Sequence, residues 1–65
     1  MTDYLIIVQD HQGYYSEAFV SLPMLPPVGT IVDFFTFGKF VTCKVSGYRM
    51  TSGSETVTVL AERTE

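Results

Sequence analysis

The chain has 65 residues, 46% hydrophobic and 14% aromatic against 17% charged, a folded composition with room for one domain over residues 1–65 and a small core. Lys39, Lys44, Arg49 and Arg63 against seven acids leave a formal charge of −3, which works against phosphate-driven binding of nucleic acid. Cys43 is the only cysteine, which removes an intramolecular disulfide and a multi-cysteine zinc site, and no run reaches the roughly 18 apolar residues of a membrane-spanning helix.

The first apolar run, Tyr4 to Val8, is β-branched and too short for a typical helix, so residues 3–10 are expected as a strand. Asp10, His11, Gln12 and Gly13 supply turn chemistry. Residues 14–22 follow as a second strand on the strength of the Tyr14-Tyr15 and Phe19-Val20 pairs. The competing reading is a short helix capped by Ser16, with Tyr15, Phe19 and Leu22 on one face. Pro23, Pro26 and Pro27 deprive residues 23–29 of three donors, so this stretch is an extended connector. Its Leu25 and Val28 are expected to pack as a lid across one end of the sheet.

Residues 30–37 form the third strand, and Gly38-Lys39 is expected as a two-residue turn with glycine first. The fourth strand runs from Phe40 toward Met50, with Val41, Cys43 and Val45 on one side and Thr42, Lys44 and Ser46 on the other. That alternation marks one buried face. Gly47 interrupts it and signals a bulge or bend. After the polar turn 51–54, residues 55–63 alternate again, with Val57, Val59 and Ala61 against Thr56, Thr58, Leu60 and Glu62. The result is an all-β fold, a small five-stranded antiparallel curled sheet or barrel, because closure hides strand edges that would otherwise aggregate.

The segment Leu25-Pro26-Pro27-Val28-Gly29-Thr30-Ile31-Val32, followed by strands at Val41 to Val45 and Thr56 to Val59, resembles the small SH3-like barrels of short bacterial and phage proteins. The resemblance covers about two thirds of the chain. It implies a fold that hosts binders of proteins, peptides and nucleic acids alike, and no functional residue is carried over from it.

No residue pattern points to catalysis, a cofactor or a metal. His11 is the only histidine and sits in a polar turn beside Asp10, with no nucleophile placed near it. Cys43 shares its strand face with Val41 and Val45, a setting for a buried structural thiol and not for an accessible thiolate. The glycines never form a phosphate-cradling spacing before a helix. The chain is therefore expected to be non-enzymatic, with no small-molecule substrate. Since Met1-Thr2-Asp3-Tyr4 offers no basic leader, it is also expected to be cytoplasmic.

The third strand is more informative, because it is apolar on both faces. Val32 and Phe34 are expected in the core, which leaves Ile31, Asp33, Phe35 and Phe37 as a candidate protein-binding surface, with Asp33 either a guard against aggregation or a polar anchor. The leading expectation is a protein-interaction module that binds itself as a homodimer or a larger partner, and short acidic chains of this kind resemble accessory or inhibitor proteins of bacteria and their phages. The alternative is a nucleic-acid binder in which Phe40 and Tyr48 stack on bases beside Lys44 and Arg49. A structural subunit of a larger assembly such as a virion fits the same surface.

Overall fold

The computed structural model describes residues 1–36 and 38–64. Five strands form, β1 (Thr2–Gln9), β2 (Tyr15–Leu22), β3 (Ile31–Thr36), β4 (Lys39–Met50) and β5 (Val57–Arg63). Among the described residues there is no helix long and apolar enough to cross a membrane. The sheet runs β2-β1-β5-β4-β3 and curls until it nearly closes into a barrel.

Residues 15–22 are a strand. Eight pairs from Thr2↔Leu22 to Gln9↔Tyr15 bind it to β1. Ala18, Val20 and Leu22 pack against the core while Phe19 stays 76% exposed, so Phe19 and Leu22 lie on opposite faces, which the helical alternative would have united. The turn before β2 is organised by Asp10, whose Oδ1 accepts the N–H groups of Gln12 and Tyr14, both at 2.9 Å.

One pairing departs from the expected antiparallel sheet. β1 and β5 pair in parallel, from Ile6↔Val59 to Gln9↔Glu62, and the sheet is mixed. Chain parity is the cause. Residues 23–30 cross the end of the barrel, so β3 starts at the end where β2 finishes and runs along the direction of β1. Two antiparallel steps later β5 points the same way again.

The core is built by period-two alternation, with Ile6, Val8, Val32, Phe34, Val41, Cys43, Val45, Val59 and Ala61 all buried. Val32 and Phe34 on β3 and Val41, Cys43 and Val45 on β4 are on the expected face. The turn between β3 and β4 does not include Lys39, which was expected in it. Thr36 pairs with Lys39, which makes Lys39 the first residue of β4, and Gly38 has φ 79, suited to the last position of a tight hairpin turn.

The interruption at Gly47 is a bulge. The β4–β5 register slips between Val45 and Gly47, so Ser46 is the extra residue and the strand changes phase. Past the bulge Tyr48 pairs with buried Val59, while Arg49 pairs with Thr58 on the outside. Tyr48 Oη donates to the carbonyl of Pro26 at 2.5 Å, and Pro26 is the buried residue of the connector. Gly29 N–H donates to Val45 O at 2.8 Å and Val45 N–H donates to Thr30 O at 2.9 Å. The connector is therefore held down as a lid, though by Pro26. Val28 and Leu25, both expected to pack, are 61% and 37% exposed.

Candidate functional site: the outer face of β3 and β4

Opposite the core, β3 and β4 present three cross-strand rows, Phe35↔Phe40, Asp33↔Thr42 and Ile31↔Lys44. The two phenylalanine rings meet edge to face, with centroids 5.2 Å apart and planes at 72°. They are 64% and 67% exposed, and Ile31 is 54% exposed. Thr42 Oγ1 donates to Asp33 Oδ1 at 2.6 Å, which orients the carboxylate along the sheet in the middle of this apolar surface. Ile31, Asp33 and Phe35 thus share one outward face; Phe37 lies outside the described residues.

Of the alternative set, Phe40, Lys44 and Arg49 are exposed on the outer side, the bulge having brought Arg49 into phase with the other two. Tyr48 is turned away from them toward Pro26. Lys44 pairs across the sheet with Glu62, so the cations here do not form an uninterrupted basic stripe.

Cys43 is fully buried, and its Sγ donates to the carbonyl of Val32 at 3.5 Å. Burial, and secondarily the Asp33 carboxylate, pushes its thiol pKa up, favouring the protonated form. His11 is exposed in the turn, next to an Asp10 carboxylate already engaged by two backbone amides.

A second feature was not anticipated. At the other end of the barrel from the connector, a cavity of about 220 Å³ opens between β2 and β3, walled by Val8, Ala18, Phe34 and Val41 and rimmed by Lys39, Arg63 and Glu17. Lys39 continues the inward phase of Val41 and Cys43, and Arg63 that of Val59 and Ala61. For Arg63 that phase was readable from the alternation; Lys39 was expected in the turn, and the two share a face because β4 and β5 are paired neighbours with Arg63 opposite Cys43.

The nearly closed five-stranded barrel fits the SH3-like resemblance at the level of fold. No protein-family model, no curated protein and no solved structure matches the chain.

Proposed function

We propose that this chain is a small, non-enzymatic protein-interaction module that pairs with a second copy of itself through the outer face of β3 and β4. The single observation carrying the reading is the Phe35–Phe40 pair, two large rings left in water beside Ile31. Aromatic rings at the centre of a contact supply much of its binding energy.

The rows on this face are also self-complementary. A two-fold axis running along the strands between β3 and β4 lays Phe35 on Phe40, Asp33 on Thr42 and Ile31 on Lys44 of the second copy. No like charges then meet, and Asp33 lies diagonal to Lys44 of the other copy. Lys44 can lay its aliphatic stem along Ile31 while its ammonium reaches the rim. Sedimentation velocity over a concentration series tests this. A dimer lost on Phe35→Ser supports it, and a monomer at every concentration overturns it.

A further inference from the structure

The sheet stops short of closure, and its two unpaired edges, β2 and β3, face each other across the seam where the mouth cavity opens. We propose that this seam binds an extended peptide as an added strand on the β3 edge, a peptide presenting an acidic and an apolar side chain two residues apart toward the barrel mouth.

The backbone comes first. Val45 N–H donates to Thr30 O, and Thr36 pairs with Lys39 across the hairpin turn, which sets the alternation along the ladder. Thr30, Val32, Phe34 and Thr36 direct their backbone groups to β4, so Ile31, Asp33 and Phe35 direct theirs to the seam. A row of such groups is the template for strand addition.

The side chains of an added strand alternate, and those two residues apart, about 6.6–6.8 Å along the strand, point into the mouth together. The cavity of about 220 Å³ is smaller than a small-molecule pocket, which runs to roughly 300–1,000 Å³, and suits a side chain. Its apolar floor at Phe34, Val41, Val8 and Ala18 takes an aliphatic group. Its rim holds Lys39 and Arg63, two of the four cations in a chain of charge −3. Among the described residues Glu17, on the β2 side, is the one acid lining it.

An acidic side chain on the occupant therefore belongs beside Lys39 and Arg63, and an apolar one belongs deeper, over Phe34. Antiparallel pairing, slightly the more stable kind, runs the occupant from the Thr36 end of β3 toward Ile31. The order of the motif is then acidic, any residue, apolar. This site uses the seam edge and the inward side of β3, so it stands or falls separately from self-association through the outer face.

The experiment is fluorescence anisotropy with a labelled threonine-rich peptide in which a glutamate precedes a leucine by two residues. Saturable binding is expected. It should weaken about tenfold or more when Lys39→Glu and Arg63→Glu are combined, strengthen with Glu17→Gln, and persist in Phe40→Ser. Replacing the peptide's glutamate by glutamine leaves the protein untouched and should weaken binding in the same direction, which guards against a misfolded double variant. No binding at low ionic strength, or equal binding by the glutamate and glutamine peptides, overturns the proposal. Stronger binding by a peptide with the two residues in reversed order overturns the antiparallel assignment.

Discussion

Phe34 and Phe35 are chain neighbours with opposite fates, the first 8% exposed in the core and the second 64% exposed on the outer face, edge-on to Phe40. Only the pleat separates them, since successive side chains in a strand point to opposite sides. Phe34→Ala should cost about 3–5 kcal/mol, comparable to the whole net stability of a domain this small. Phe35→Ser should leave the fold intact and abolish self-association. Urea unfolding together with sedimentation velocity on both variants checks this. Unfolding by Phe35→Ser with Phe34→Ala tolerated would reverse the assignment of faces and make the proposed contact surface the core.

Cys43 should react slowly with a thiol reagent in the native protein and quickly in denaturant. Its Sγ is buried and hydrogen-bonded to Val32 O, and burial raises its pKa above the ordinary 9.0. Above about pH 9 the unfolded chain releases this proton while the native state keeps it, so the unfolded state binds fewer protons and stability falls as pH rises until the native thiol also ionises. Cys43→Ser does not isolate the effect because it buries a hydroxyl. Cys43→Ala does, and it should flatten the alkaline decline. An unchanged slope would assign that decline to other groups.

The Tyr48 hydroxyl ties the connector to the barrel through Pro26 O. Tyr48→Phe removes the donor while keeping the ring, and should cost about 0.5–1.5 kcal/mol. Amide exchange locates the loss. Gly29 N–H, which donates to Val45 O, should exchange faster in the variant, while the amides of β1 keep their protection. Uniform acceleration across the sheet would mean that the bond supports the whole barrel and not the connector.

Much of this was legible because a strand's period of two sorts residues onto faces without knowledge of the partner strand. The inward set Val41, Cys43 and Val45 and the exposed positions of Ile31, Asp33 and Phe35 both follow from it. Direction is another matter. The parallel pairing of β1 with β5 depends on which end of the barrel the connector crosses, and no local pattern encodes that. Tyr48 left the surface expected for it beside Arg49 for a related reason: Gly47 signalled a bulge, but which residue was extra, and so where the phase changed, required the register with β5. Lys39 and Arg63 lie 24 positions apart, and only the β4–β5 register, with Arg63 opposite Cys43, puts them on one face of neighbouring strands at the cavity.

The bulge itself can be tested by comparing two glycines. Gly29 has φ 96, a left-handed conformation that side chains with a Cβ resist, and its N–H is committed to Val45 O. Gly29→Ala should therefore destabilise by about 1 kcal/mol or more. Gly47 is not among the glycines of positive φ, and a Cβ added there would meet no atom within 4 Å. Gly47→Ala should be neutral or stabilising by about 0.4–1 kcal/mol, because it restricts the unfolded chain without straining the folded one. The extra residue is Ser46, whose hydroxyl donates to Leu60 O at 3.2 Å. Its deletion removes the extra residue while leaving Val45↔Ala61 and Gly47↔Leu60 in register, so Tyr48 stays opposite Val59 and Arg49 stays on the outside. The domain should therefore stay folded, losing chiefly the Ser46–Leu60 hydrogen bond, whereas deletion of Thr42, in the unbroken part of the ladder, puts neighbouring residues on the wrong faces and should unfold it. Thermal unfolding followed by circular dichroism reads all four variants. Unfolding on deletion of Ser46 would show that β4 passes Val45 without the slip in register.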